Sequence, residues 1–158
     1  MNNKPRRRQN RLKDYDYSQD GAYFVTICSK NHAELFGKIT VGTNPVRLDL
    51  SDIGLTVDSE IMRLPNIYDG VSLSFRVVMP NHIHMLIEIK NGGRTQFAPT
   101  ISRITKQFKG AVKKQVGFSP WQKSFHDHVI RNQEDFNRIV EYIENNPARW
   151  VGDRYYTG

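Results

Sequence analysis

At 158 residues, with 38% hydrophobic and 25% charged side chains, the chain suits one compact domain and is neither disordered nor fibrous in composition. No apolar run approaches the roughly 18 residues of a membrane span, and the N-terminus shows no signal-peptide-like apolar stretch, so a cytoplasmic protein without a membrane partner is expected. The single cysteine, Cys28, excludes a disulfide framework and a cysteine-based zinc site.

The net charge of +7 is unevenly placed. Lys4, Arg6, Arg7, Arg8, Arg11 and Lys13 lie in an acid-free segment 1–13, expected to be a flexible basic arm ahead of a single domain, 14–158. A second acid-free stretch, 90–126, carries Lys90, Arg94, Arg103, Lys106, Lys109, Lys113, Lys114 and Lys123. Two such blocks in an otherwise acidic chain fit surfaces for a polyanion. A solvated tail and a solvated helix face are the plainer reading of the same charges.

In chain order, Tyr23 to Cys28 is rich in aromatic and β-branched residues and predicts a strand. Strands are expected again near Phe36 to Val41 and Val46 to Leu50, joined by a turn at Gly42, Asn44 and Pro45. Ser51 caps a predicted helix that runs to about Leu64 and stops at Pro65. Two longer strands, Val71 to Met79 and His82 to Ile89, flank a tight Pro80-Asn81 turn. After the Gly92-Gly93 loop, Pro99 and Thr100 open a helix ending near Gly117. Its Ile101, Ile104, Phe108, Ala111 and Val112 share one face, with Arg103, Lys106, Lys109, Lys113 and Lys114 opposite. A short strand, Phe125 to Ile130, precedes a last helix capped by Asn132, with Glu134 and Asp135 in its first turn. Phe136, Ile139, Val140 and Ile143 form its buried stripe, and Pro147 ends it. Hairpins outnumber βαβ crossovers in this order, which predicts an α+β fold with a ferredoxin-like antiparallel sheet.

On the strand after Pro80, Ile83, Met85, Ile87 and Ile89 form a face built for burial, and His82, His84, Leu86 and Glu88 form the other. Imidazoles two residues apart on a strand sit about 6.6 Å apart along its axis and can chelate one cation. The plain alternative is a pair of partly exposed histidines at the mouth of a turn. His126 and His128, flanking Asp127, obey the same spacing, and spacing alone does not choose between the pairs. Tyr142 lies at the edge of the last helix's apolar stripe, and Asn146 lies one turn further on the same side. Taken singly, these are an amphipathic packing residue and a helix end.

Together these segments resemble a known family. Val78-Met79-Pro80-Asn81-His82-Ile83-His84-Met85 resembles the His-hydrophobic-His motif of HUH single-strand endonucleases. The closer resemblance is to the REP-associated tyrosine transposases, relatives of the single-tyrosine insertion-sequence transposases. It also rests on Tyr15-Asp16-Tyr17, Gly21-Ala22-Tyr23-Phe24-Val25-Thr26, Trp121-Gln122-Lys123, His128-Val129-Ile130-Arg131-Asn132 and Tyr142-Ile143-Glu144-Asn145-Asn146-Pro147-Ala148-Arg149-Trp150. Only 43–69 matches loosely.

The resemblance implies an HUH-type fold with His82, His84 and Asn146 as ligands of a divalent cation, Mg²⁺ or Mn²⁺, and Tyr142 as nucleophile. It thereby prefers His82 and His84 to the second pair, for which it implies no role. It further implies a strand transferase acting on single-stranded DNA beside a short hairpin of a repeated palindrome, as a monomer or a homodimer. Arg6, Arg7 and Arg8 and the basic residues Arg103, Lys106, Lys109, Lys113 and Lys114 would then hold phosphates without reading sequence. No residue stands out as the base for a phenol of pKa near 10. The alternatives from other classes are a transposase-derived nucleic-acid-binding domain without catalysis, and a metal-dependent phosphodiesterase that uses water as nucleophile.

Overall fold

The computed structural model describes residues 21–40, 46–90 and 99–152. The predicted basic arm with Arg6, Arg7 and Arg8, the turn at 42–45 and the Gly92-Gly93 loop lie outside these residues.

Among the described residues, six strands and three α-helices follow one another as β1 (Gly21–Cys28), β2 (Gly37–Thr40), β3 (Arg47–Leu50), α1 (Asp52–Ile67), β4 (Val71–Met79), β5 (His82–Ile89), α2 (Ile101–Val116), β6 (His126–Ile130) and α3 (Gln133–Asn145). Four strands make an antiparallel sheet in the order β4-β5-β1-β6, while β2 and β3 pair separately. With the β2–β3 hairpin as an insertion and α3 as an addition, the remaining β1-α1-β4-β5-α2-β6 order is the expected ferredoxin-like α+β sheet.

The helix ends follow their caps. Ser51 Oγ accepts from the Gly54 N–H, Thr100 Oγ1 from the Arg103 N–H and Asn132 Oδ1 from the Asp135 N–H. Gly117 ends α2 in the left-handed conformation, with φ 92°. Pro65 does not stop α1, contrary to expectation: the helix continues to Ile67, and the Tyr68 N–H closes the last turn on the Leu64 carbonyl. Leu64, 2% exposed, is anchored in the core beside the proline, so tertiary burial outweighs the one hydrogen bond that Pro65 removes.

Two helical layers sandwich the sheet. Alternation on β1 and β5 sends Tyr23, Val25, Ile27, Ile83, Met85, Ile87 and Ile89 to one face, where they pack with Val57 and Ile61 of α1 and Ile104, Phe108 and Val112 of α2. The other face receives Phe24 and Leu86, which pack with Ile139 and Ile143 of α3. A β-bulge between Leu73 and Phe75 re-phases β4. Val71 and Leu73 therefore serve the α1–α2 face, and Phe75 and Val77 serve the α3 face. His82 and His84 are on the α3 face by the same alternation.

Candidate active-site cleft

His82 and His84 are not the partly exposed turn-mouth pair that their position beside Pro80-Asn81 suggests. They are 0% and 1% exposed. Both edges of β5 are paired because it is an inner strand, and Tyr142 of α3 and Trp150 beyond it pack on the histidine side. The two rings lie 4.7 Å apart, nearly edge to face. Each Nδ1 meets a protein oxygen at 2.8 Å: His84 meets Thr26 Oγ1 and His82 meets Asn81 Oδ1. Thr26 is directly opposite His84 in the β1–β5 register, which makes the first of these bonds a cross-strand pair.

Helix α3 brings Tyr142 to the same place. The Tyr142 ring is 5.3 Å from that of His84, and Phe24 lies 5.0 Å from His84 and 6.2 Å from Tyr142. These contacts occur within one chain. Ile139 and Ile143, buried against Leu86, set the rotation of the helix. Tyr142, one position before Ile143, then stands at the boundary, 36% exposed. Asn146 is the C-cap of α3 and is 2% exposed. Beyond it, Trp150 places its ring 6.1 Å from that of His82, so the segment holding Asn146 is tied to the histidine side of the sheet.

An open cleft of about 320 Å³ runs along this face, lined by Phe24, Thr26, His84, His126, Asp127, His128 and Tyr142. The second His-x-His pair thus shares the cleft with the first. In the register Thr26 lies between His84 on β5 and His126 on β6. Both His126 and His128 are exposed, and His128 Nε2 is bound to Asp135 Oδ2 at 2.7 Å. Burial alone would raise the Asp135 carboxyl, but hydrogen bonds from His128 and Arg138, the charge of His128 and a backbone N–H bond outweigh it and hold the group below its ordinary value.

The basic face of α2 is elsewhere. Arg103, Lys106, Lys113 and Lys114 are exposed, but α2 covers the sheet face opposite to Tyr142. Lys109 is drawn inward: its ammonium donates to the Gln122 carbonyl at 2.6 Å, and burial lowers its pKa. Of the sequence-identified site residues, the fold therefore gathers His82, His84 and Tyr142, seats Asn146 one helical turn from Tyr142, and leaves the α2 cations on the far layer. Sequence reasoning passed over Thr26, Asn81, Phe24 and Trp150 as parts of the site. The partner of Thr26 is 58 residues away, and only the strand register reveals it.

The described residues contain no cluster of three or more His, Cys, Asp or Glu side chains suited to hold a metal ion. The candidate set has two histidines and one carboxamide, a different composition. Its donors fit a divalent cation chemically, and each imidazole has the Nδ1 support typical of metal-ligating histidines. No helix among the described residues is long and apolar enough to cross a membrane.

No protein-family model matches the chain. It is 34% identical over 171 aligned positions to an uncharacterized protein of Haemophilus influenzae, which covers 95% of this chain and 93% of that one. It is 35% identical over 77 positions to a REP-associated tyrosine transposase of Escherichia coli, covering 48% of this chain and 44% of that protein. Among solved structures, a REP-associated tyrosine transposase bound to a REP hairpin superposes with a TM-score of 0.61 at 22% identity, over 88% of this chain and 74% of that one.

Proposed function

We propose that this chain, which is similar to REP-associated tyrosine transposases over part of its length, is a metal-dependent single-strand DNA endonuclease and strand transferase that uses Tyr142 as nucleophile. The observation that supports this most is the placement of the Tyr142 ring 5.3 Å from His84, itself 4.7 Å from His82, beside an open cleft. His84 and Tyr142, 58 positions apart, meet beside the cleft.

In this reading His82, His84 and Asn146 hold the cation, and with both Nδ1 atoms engaged, Nε2 is the coordinating nitrogen of each ring. A bound Mg²⁺ or Mn²⁺ supplies Lewis-acid polarisation of the scissile phosphate and neutralises developing charge. The two imidazole donors favour Mn²⁺ over Mg²⁺, whose ligands are commonly all oxygen. Tyr142 loses its hydroxyl proton as its Oη forms a bond to phosphorus. The bond from phosphorus to the 3′ oxygen breaks, and that oxygen leaves with a proton as a 3′-hydroxyl. The product is a 5′-phosphotyrosine. Attack by another 3′-hydroxyl reverses the step and joins strands without an external energy source. Phe24 and His84 flank the Tyr142 ring and restrict its swing, which keeps Oη close to its line of attack.

The substrate in this proposal is single-stranded DNA carrying a hairpin, by analogy with the relative solved on a REP hairpin. The test is incubation with labelled hairpin oligonucleotides and Mn²⁺, followed by denaturing electrophoresis. The wild type should yield a covalent protein–DNA adduct and Tyr142→Phe none, with binding retained because only one oxygen is removed. Cleavage by Tyr142→Phe would sink the assignment and favour water as nucleophile.

A second reading, a nucleic-acid-binding domain without catalysis, draws on the α2 cations, which lie across the sheet from Tyr142. Alanine at His82 and His84 separates the two. A pure binder keeps its affinity with and without divalent ions, whereas the nuclease loses its adduct.

A further inference from the structure

We propose that Asn81 is a positioning residue that locks His82 in the tautomer with the proton on Nδ1, so that Nε2 carries the lone pair. The inference rests on the reading of His82 as a cation ligand and assigns a role to a residue otherwise explained by its tight turn.

The argument is one of hydrogen-bond parity. The Asn81 side chain, 0% exposed, has two polar ends. One lies 3.2 Å from the backbone carbonyl of His32, and the other 2.8 Å from His82 Nδ1. A carbonyl accepts only, so the end facing His32 must be the NH₂ group. The end facing His82 is then the amide oxygen, which also accepts only. His82 must therefore supply the proton from Nδ1, and a neutral ring has its lone pair on Nε2. Reversing the amide would set two acceptors against each other at His32.

The surroundings hold this arrangement rigidly. The Asn81 carbonyl accepts from the Ser29 N–H at 2.9 Å, and the carbonyl of neighbouring Pro80 accepts from the Phe36 N–H at 2.9 Å. The His32 carbonyl that orients the amide belongs to a turn in which Asn31 and His32, with φ of 58° and 53°, both occupy the left-handed region. Two consecutive non-glycine residues in that region are unfavourable and persist only where neighbouring contacts over-determine them. The turn closes through the His32 N–H to the Ser29 carbonyl at 3.1 Å, and the Ser29 hydroxyl donates to the Ala33 carbonyl at 2.6 Å.

The two histidines differ in this respect. Thr26 Oγ1 both donates and accepts, so it orients His84 without dictating its tautomer. The lock is specific to His82.

The test is long-range ¹H–¹⁵N NMR of the histidine side chains in the full-length, metal-free protein, at a mildly alkaline pH at which free imidazole is neutral. Wild-type His82 should show a protonated Nδ1 and an unprotonated Nε2. A proton on Nε2 overturns the proposal, and this measurement needs no variant to fold. Asn81→Asp keeps an acceptor towards Nδ1 and should keep the tautomer, although it sets a second carboxylate oxygen against the His32 carbonyl where the NH₂ group stood. Asn81→Leu removes the acceptor, should shift His82 towards the Nε2–H form, and should weaken Mn²⁺ binding by about 10- to 100-fold. Unchanged tautomer and affinity in Asn81→Leu also overturn it. An intact Nδ1–H tautomer in a wild type that binds no Mn²⁺ supports the lock and overturns the metal reading instead.

Discussion

The two faces of the four-stranded sheet share strands and differ in purpose. On the α1–α2 side, Tyr23, Val25, Ile27, Ile83, Met85, Ile87 and Ile89 form a dry, fully buried apolar surface. On the α3 side, the intervening positions are Phe24, Thr26, His82, His84 and Leu86, with a smaller apolar cluster that stops where the imidazoles begin. Period-two alternation lets one strand carry both jobs at adjacent residues. The larger core supplies stability, and it frees the other face to bury polar groups whose value lies in their placement.

The sharpest way to break this division is to remove both histidines. His82→Ala with His84→Ala should eliminate the covalent adduct in the Mn²⁺ gel assay, while the circular dichroism of the folded sheet persists. On the opposite face, Ile87→Ala should lower unfolding free energy by about 2–5 kcal/mol in urea titration, yet leave adduct formation per folded molecule unchanged. A loss of chemistry from Ile87→Ala would show that the faces are coupled rather than divided.

Subtler substitutions sharpen the comparison. Thr26→Val keeps the shape of the side chain but removes the oxygen that meets His84 Nδ1. Mn²⁺ affinity should fall by about 10- to 100-fold, the range for lost supporting partners, with a small stability change. Alanine at Lys113 and Lys114 should reduce the salt dependence of single-strand binding by about 0.7 per lost phosphate contact. It should not alter cleavage at saturating DNA, because α2 is across the sheet from Tyr142.

The smallest effect is at Asp135, whose carboxyl is held below its ordinary value in the folded chain despite its burial. A depressed carboxylate contributes stability above its unfolded pKa of about 3.9, and this is lost as pH falls through the lower folded value. Asp135→Asn should therefore flatten the acid limb of the stability profile below about pH 4. At neutral pH it should cost no more than about 1 kcal/mol, since its partners His128 and Arg138 are at least half exposed.

Much of this arrangement is legible in the chain. The caps at Ser51, Thr100 and Asn132, the stop at Gly117 and the β4–β5 turn are local signals, and all of them hold in the structure. Tyr142 at the edge of its stripe and Asn146 one turn on follow from helical periodicity. Pro65 misleads because breaker rules describe an isolated helix, whereas α1 is held by Leu64 in the core. The bulge on β4 also escapes a simple alternating pattern, since an inserted residue reverses every later face assignment.

The sequence by itself determined the order of elements, the sidedness of β5, α2 and α3, and the family resemblance, because these are encoded at separations of a few residues. Only the tertiary structure decided which face of the sheet each helix covers. That choice buries His82 and His84, sets Tyr142 beside them, seats His126 and His128 in the same cleft and sends the cations of α2 to the far side. The reason is physical: periodicity fixes which side chains share a face, but the partner of that face is selected by long-range burial and strand register, which no local pattern records.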